Sequence, residues 1–151
     1  MKAITWLAAF AAPAILVSSV SAKTLSGWST DLEKAIAEAK QQNKSVLVEF
    51  TGSDWCPPCI AMRKNVFSKK DFVAKAAEKF VLVELDFPRG DKELAKKNEP
   101  YFIKYKVEGF PTVVLLTPEG KPFGKFIASD FPTTGEFLKH LDHALERSEM
   151  D

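Results

Sequence analysis

The two cysteines of the chain, Cys56 and Cys59, constrain its fold most, because they flank two prolines at a spacing that suits a reversible disulfide. The apolar run before them predicts a short buried strand over residues 45–50, and the spacing of apolar residues after them favours a helix over residues 60–67. Pro57 suits the first position of that helix, where its fixed φ fits and its missing N–H is not needed. Cys56 then falls at the N-cap, and Cys59 lies one turn later on the same face, within disulfide reach.

A second motif, Gly109-Phe110-Pro111-Thr112, precedes another apolar stretch later in the chain. A Trp-Cys-x-Pro-Cys sequence after an apolar strand, combined with this second motif, resembles the thioredoxin superfamily, particularly its exported members. The resemblance covers about residues 27–146. It implies a three-layer α/β sandwich, in which helices flank a mixed central sheet. It also implies thiol–disulfide exchange as the activity, with no cofactor beyond the redox-active disulfide Cys56–Cys59.

The other predicted elements agree with this fold. A first helix precedes the order β, α, β, α, β, β, α, which gives parallel strands joined by helices and a hairpin at the sheet edge. Thr30 and Glu33 form a capping-box pattern that predicts a helix from Thr30 to Gln42. The helix over residues 92–105 is expected in two pieces, because Pro100 removes a donor and disfavours helix at the preceding residue. The remaining predictions are strands at 80–86, 112–117 and 122–128, and helices at 68–78 and from about residue 133.

The cysteines and one acid are the candidate catalytic residues. Cys56 is predicted to be the nucleophile, because a sulfur at a helix N-terminus lies at the positive end of the helix dipole, which favours the reactive thiolate. Cys59 is predicted to be more buried and to act as the resolving thiol, which displaces the reduced client from a mixed disulfide on Cys56. Glu49 lies close to the position where the resemblance implies a buried acid that moves the resolving cysteine's proton. An inward Glu49 suits proton transfer, whereas an outward one is only a surface charge, and the sequence leaves both open.

The resemblance also implies a client-binding surface around the cysteines. Trp55 corresponds to the tryptophan beside the family's active site, which covers the motif and contacts a client; a plain packing role is the alternative. Pro111 corresponds to the family's cis-proline, which faces the cysteine pair and leaves the neighbouring backbone free to pair with a bound peptide. Phe110 stands where many relatives have a smaller aliphatic residue or Thr, so a different client preference is expected.

Pro57 and Pro58 are predicted to tune the redox potential of the pair. Both lack an N–H, so the nearest backbone donor left for a Cys56 thiolate in this turn is that of Cys59. A less stabilised thiolate disfavours the reduced form, and the potential is therefore expected near the reducing end of the range, at roughly −270 mV. The sequence thus favours a reductant of protein disulfides.

Two other interpretations of the cysteine pair stay open. Half of a zinc site has the same spacing, but zinc usually takes four ligands and the chain adds only His140 and His143, so no metal is expected. The main alternative function is a non-enzymatic thioredoxin-fold binding or scaffold domain with a permanently oxidised pair. Against a purely structural disulfide, a bridge that closes so short a loop restricts the unfolded chain little.

The N-terminal residues predict export. Lys2 is followed by an apolar run and then by small residues up to Ala22, which is typical of a cleavable signal peptide over residues 1–22. Cleavage is favoured over a retained anchor, because the run is short for a membrane span and contains a proline. Residues 23–151 are then expected to form one thioredoxin-like domain in the periplasm or another exported location.

Composition and export together predict the partners. The chain is 46% hydrophobic and 27% charged with a formal net charge of +1, which gives no indication of nucleic acid or an acidic membrane surface as partner. Protein disulfides and dithiols are the expected clients, and a membrane protein with reactive thiols is the expected electron donor. The cleaved domain is expected to be a monomer without stable membrane insertion.

Overall fold

The computed structural model describes residues 23–150, which form four strands and five α-helices. The predicted signal peptide lies outside the described residues. No helix within the described range is long and apolar enough to cross a membrane. The strands are β1 (Ser45–Thr51), β2 (Phe80–Asp86), β3 (Thr112–Leu116) and β4 (Pro122–Ile127), and the helices are α1 (Leu32–Gln42), α2 (Pro57–Met62), α3 (Lys70–Ala76), α4 (Lys92–Lys104) and α5 (Thr134–Met150).

The strands form one mixed sheet in the order β2-β1-β3-β4. β1 and β2 are parallel, whereas β3 is antiparallel to both of its neighbours, β1 and β4. Ser29 adds a parallel bridge to Val83 on the outer side of β2, where its N–H donates to the Leu82 carbonyl over 2.8 Å. At the other edge, the pairing of β3 with β4 is irregular near Leu115 and Leu116. The predicted mixed sheet with an edge hairpin is confirmed.

Each face of the sheet carries its own apolar core, because side chains alternate along the strands. On one face, Leu47 and Leu82 pack with residues of α2, α3 and α5; on the other, Val46 and Val48 pack with α1 and with aromatic residues of α4. All seven residues of β2 are buried, as its nearly continuous apolar sequence predicts for a parallel strand covered on both faces. The result is the predicted three-layer α/β sandwich.

Two predicted helix details are wrong. The first helix begins at Leu32, not Thr30, and Asp31 is its N-cap, with a side chain that accepts from the Lys34 N–H over 3.0 Å. Thr30 is not yet helical because the preceding Ser29 is held against β2 by backbone hydrogen bonds. Asp31 therefore takes the capping position in its place.

The helix with the internal proline is continuous rather than in two pieces. Pro100 lies inside α4, and the helix runs on from Lys92 to Lys104. Asn98 is buried and its side-chain amide donates to the Asp86 carbonyl over 2.8 Å, which ties the middle of the helix to the end of β2. These tertiary contacts offset the loss of one helical hydrogen bond at the proline.

Candidate active site

The cysteine pair lies at the strand–turn–helix junction that the sequence predicts. Cys56 is the N-cap of α2, with extended φ and ψ of −96° and 105°, and Pro57 takes the first helical position. The two cysteines form a disulfide, with their Cα atoms 5.2 Å apart. The Cys59 N–H lies 3.4 Å from the Cys56 sulfur and donates to it. Since Pro57 and Pro58 have no N–H, this is the nearest donor of the turn, as predicted.

The two sulfurs differ in their surroundings. Cys59 is fully buried, while Cys56 keeps 3% of its surface exposed, so the predicted order of burial is confirmed by a small margin. The Gly52 N–H, at the end of the strand before the motif, lies 3.5 Å from the Cys59 sulfur. Cys56 is thus slightly more exposed than Cys59, which is the order that the predicted nucleophilic and resolving roles require.

Trp55 lies in the loop between β1 and the cysteines, and its side chain is held in place by contacts with the loop after β2. Its indole N–H donates to the Phe87 carbonyl over 2.8 Å, and the Arg89 guanidinium lies 4.7 Å from the ring centroid. The Asp54 carboxylate accepts from the N–H groups of Arg89 and Gly90, and these hydrogen bonds hold the pKa of Asp54 below its usual value. The loop after β2 therefore fixes the indole next to Cys56, a position that suits the predicted client contact and a packing role alike.

Gly52 leaves the space that the Trp55 ring occupies, and this leads to a prediction. A Cβ at residue 52 would lie 2.5 Å from the indole, so Gly52→Ala must displace a ring that is hydrogen-bonded elsewhere. We expect a loss of about 1–3 kcal/mol in the free energy of unfolding and a changed tryptophan fluorescence. Gly109→Ala is the matched control, because nothing lies within 4 Å of a Cβ there. Equal stability of the two variants would contradict this account.

Phe110 and Pro111 form the other wall of the site. The Phe110–Pro111 peptide bond is cis, as the resemblance implies, and the Phe110 ring meets the Trp55 ring edge to face at 5.6 Å. Phe110 also contacts Phe87 and Phe102, with ring centroids 5.3 and 5.4 Å away. These three phenylalanines line an apolar groove of about 360 Å³ against α4. Two of the residues predicted to bind clients, Trp55 and Phe110, thus lie in contact next to Cys56.

Glu49 points inward, which resolves the open question of its orientation. It is 1% exposed, and neither carboxyl oxygen has a hydrogen-bond partner among the described residues. Its side chain shares the sheet face of Leu47, which α2 covers. Burial raises the pKa of Glu49 well above its usual value, the charge of Glu84 raises it further, and Arg63 opposes both. The acid is therefore buried under the helix that carries the resolving cysteine.

Sequence analysis placed Glu84 near this acid but did not identify Arg63 as its partner. Arg63 follows α2 in a π-helical turn, and its Nη1 donates to the Glu84 carboxylate over 2.6 Å. Burial raises the pKa of Glu84, and the Arg63 guanidinium opposes this rise. Asp86 accepts from the Ser53 N–H over 2.9 Å and so ties the motif loop to β2. Charged residues in an otherwise apolar strand, Glu84 and Asp86, were the sequence signal for these contacts.

The histidines of the zinc interpretation lie apart from the cysteines. His140, on α5, stacks on the Phe131 ring with centroids 3.9 Å apart, and His143 lies 3.4 Å from the Glu146 carboxylate. Within residues 23–150, no three His, Cys, Asp or Glu side chains are grouped in a way that would hold a metal ion. The histidines pack or pair on the surface of the last helix.

Comparison with known proteins identifies a matching family and similar sequences. The sequence model of a family described as Thioredoxin-like matches residues 27–118. The disulfide bond reductase DsbH of Chlamydia pneumoniae is 36% identical over 101 residues, which cover 65% of this chain and 60% of that protein. The thiol:disulfide interchange protein DsbD of Vibrio cholerae is 33% identical over 116 residues, which cover 74% of this chain and 18% of that protein.

Solved structures agree with the sequence comparison. A DsbH oxidoreductase superposes with a TM-score of 0.70 at 28% identity, and the match covers 90% of this chain and 95% of that one. The chain spans less than two thirds of the length of the curated relatives, 60% of the Chlamydia protein and 18% of the Vibrio protein. The similarity to the curated relatives therefore extends over part of each of them.

Proposed function

This chain belongs to the thioredoxin-like family, and we propose that it is an exported thiol–disulfide oxidoreductase that reduces disulfides in protein clients. Cys56 attacks the client disulfide, and a mixed disulfide forms as one client sulfur leaves. Cys59 then attacks the Cys56 sulfur, which releases the second client sulfur and closes the Cys56–Cys59 disulfide. Two electrons pass from the cysteine pair to the client.

The observation that carries this proposal is the position of Cys56 at the start of α2. Its sulfur caps the helix and receives the Cys59 N–H, while Cys59 itself is fully buried. A thiolate at this place is stabilised by the helix dipole, and Cys56 is the more exposed of the two cysteines. The relative named disulfide bond reductase supports the same chemistry.

If the protein is exported, its electrons must come from a partner that faces the same compartment. An exported dithiol works in an oxidising compartment, so each turnover leaves it as a disulfide that the surroundings do not reduce. A membrane protein with reactive thiols, facing that compartment, is the proposed electron donor. The apolar N-terminal sequence supports export, and the likeness to proteins named thiol:disulfide interchange protein supports a thiol donor.

One measurement separates this enzyme from a thioredoxin-fold binding domain with a permanent disulfide. We expect the protein of residues 23–151 to have a potential of roughly −270 mV and, once reduced, to reduce a disulfide-bonded reporter protein. A potential well below about −300 mV, typical of structural disulfides, together with no reporter reduction by any donor, would favour the binding domain.

The reducing direction rests on the two prolines and gives a further prediction. Pro57→Gly adds an N–H near the Cys56 sulfur, so we expect a lower Cys56 pKa and a less negative potential. A shift of about 30 mV corresponds to a tenfold change in the equilibrium constant, which is what one added charge-assisted hydrogen bond should give. Pro58→His should shift the potential further, since it adds both an N–H and a titratable imidazole. Equilibration with glutathione measures the potential, and thiolate absorbance measures the pKa.

The control for the proline variants is a proline outside the motif. Pro118→Ala changes a turn residue at the far end of β3 and should leave the potential unchanged. A Pro57→Gly variant that becomes more reducing would contradict the role of the missing N–H, and a wild-type potential near −120 mV would move the protein to the class of oxidants.

A further inference from the structure

Two buried carboxyl groups lie side by side beneath the cysteine helix. Glu49 and Glu84 are paired in the register of the parallel strands β1 and β2. Paired residues of neighbouring strands project to the same face of a sheet, and the strands lie about 4.8 Å apart. This face is the one that α2 covers, since Met62 of α2 packs in the same cluster as Leu47 and Leu82. Both acids therefore face the helix that carries Cys59.

The two acids have opposite surroundings. Glu49 has no hydrogen-bond partner among the described residues, so only the nearby charge of Arg63 would compensate an ionised carboxylate there. Glu84 is also buried, but its carboxylate accepts a charge-assisted hydrogen bond from Arg63. Two neighbouring carboxylates resist ionising together, and their different surroundings decide which of them keeps a proton. The charge is favoured on Glu84 and the proton on Glu49.

Arg63 is fixed at the boundary between this pair and the solvent. One guanidinium nitrogen donates to Glu84, and the other, Nη2, donates to the Lys23 carbonyl. A quarter of the Arg63 side chain is exposed. The other groups that face Glu49 are Thr51 and Asp86, and Asp86 already accepts two hydrogen bonds from Ser53. Arg63 is thus the cation that pairs with Glu84 and lies close enough to Glu49 to oppose the rise of its pKa.

We propose that Arg63 and Glu84 are positioning residues that hold the negative charge of the acid pair on Glu84 and keep its proton on Glu49, next to the resolving cysteine. This inference rests on the proposed function for its catalytic meaning. A neutral Glu49 is the proton donor for Cys59 when the disulfide is opened, and an ionised Glu49 is the proton acceptor when it is closed. The position of the Arg63 charge sets the pH at which Glu49 changes between these states.

The proton transfer balances in both directions. When a thiolate of the electron donor attacks the Cys56 sulfur, a new disulfide forms to the donor, and the Cys56–Cys59 bond breaks. Cys59 leaves as a thiolate and takes the proton of Glu49, which becomes a carboxylate. In client reduction, the Cys59 thiol gives its proton to the Glu49 carboxylate as its sulfur attacks Cys56, and the client sulfur leaves as a thiolate.

The test is the ionisation of the acid pair, measured by infrared spectroscopy on the oxidised protein, in which no thiol titrates. The carbonyl band of the protonated acid is assigned by its absence in Glu49→Gln. Glu84→Gln leaves the Arg63 charge unbalanced near Glu49, so we expect the ionisation of Glu49 to move to lower pH. Arg63→Gln removes the cation, so we expect the ionisation of Glu49 to move to higher pH. Each shift should change the ionised fraction about tenfold, which corresponds to one pH unit.

Matched variants separate this role from a structural one. Arg63→Lys retains the charge and should keep the ionisation close to that of the wild type. Asp142→Asn removes the exposed ion pair with Lys79 and should leave it unchanged. If Arg63→Gln does not fold, Glu84→Gln and Arg63→Lys still decide the question, because Glu84→Gln leaves a partly exposed Arg63 that water can solvate.

The outcomes distinguish the inference from the proposed function. Shifts in opposite directions for Glu84→Gln and Arg63→Gln support the positioning roles, even if the protein reduces no client, in which case only the proposed function fails. Unchanged ionisation, or shifts in the same direction, overturns the positioning roles even in a protein that reduces clients normally. In an active protein, the pH profile for resolution of the mixed disulfide should shift with the infrared titration.

Discussion

Cys59→Ser is expected to accumulate covalent complexes with its clients, whereas Cys56→Ser is expected to form none and to lose activity completely. Cys56 is the more exposed cysteine and lies at the N-terminus of α2, so we expect it to make the first attack. Without the Cys59 thiol, the mixed disulfide on Cys56 is not resolved from within the protein, and it persists. Non-reducing electrophoresis of the protein recovered from cells detects the complexes, and mass spectrometry identifies the clients.

The control for trapping is the variant that lacks both sulfurs, Cys56→Ser with Cys59→Ser, which should give no complexes. Complexes should also disappear when a reducing agent is added, because they are held by a disulfide. Equal trapping by the two single variants, or trapping by Cys56→Ser alone, would reverse or remove the assigned roles.

Glu49→Gln is expected to slow resolution of the mixed disulfide by about 10²–10⁴-fold, the usual contribution of a positioned acid or base. Glutamine fits the same space but does not accept the Cys59 proton. The loss should be largest at high pH, where Glu49 is ionised in the wild type, and should vanish at low pH, where Glu49 is protonated and inactive as a base. Rapid-mixing kinetics with a preformed mixed disulfide measure this step, and equal rates across pH would exclude the role.

Glu49→Gln, which should slow resolution, should increase the stability of the protein at high pH. Burial raises the pKa of Glu49 in the folded protein well above its usual value. Its contribution to stability is therefore fully present at pH below the unfolded pKa, about 4.3, and is lost as the pH rises through the folded pKa. Glu49→Gln does not ionise, so we expect its melting temperature to exceed that of the wild type at high pH and the difference to shrink on acidification. A variant that is less stable at high pH would contradict the burial of an unpartnered acid.

The junction that carries the cysteines was predictable from local sequence. A cysteine followed by two prolines specifies an N-cap and a first helical turn almost without tertiary help, since proline fixes φ and cannot donate. The apolar run before it specifies a buried strand, and together these place Cys56 and Cys59. The order of helices and strands, and hence the sandwich, followed from the same kind of local pattern.

The features that escaped prediction depend on contacts between distant parts of the chain. The first helix starts at Leu32 because Ser29 is bound to β2, which the Thr30 capping pattern does not reveal. Helix α4 continues through Pro100 because Asn98 is bound to the end of β2. The orientation of Glu49 depends on the register of β1 with its neighbours, and a shift of one residue would have turned it to the opposite face.

The irregular pairing at β4 also bears on how readily the edges of this sheet could pair with another chain. The open edges of a sheet are sites where copies of a chain polymerise through their backbones. At β4, Pro122 lacks a donor and the register shift near Leu116 distorts the edge, while the Ser29 bridge occupies part of the edge at β2. Both edges of the sheet are therefore poor templates for amyloid-like stacking.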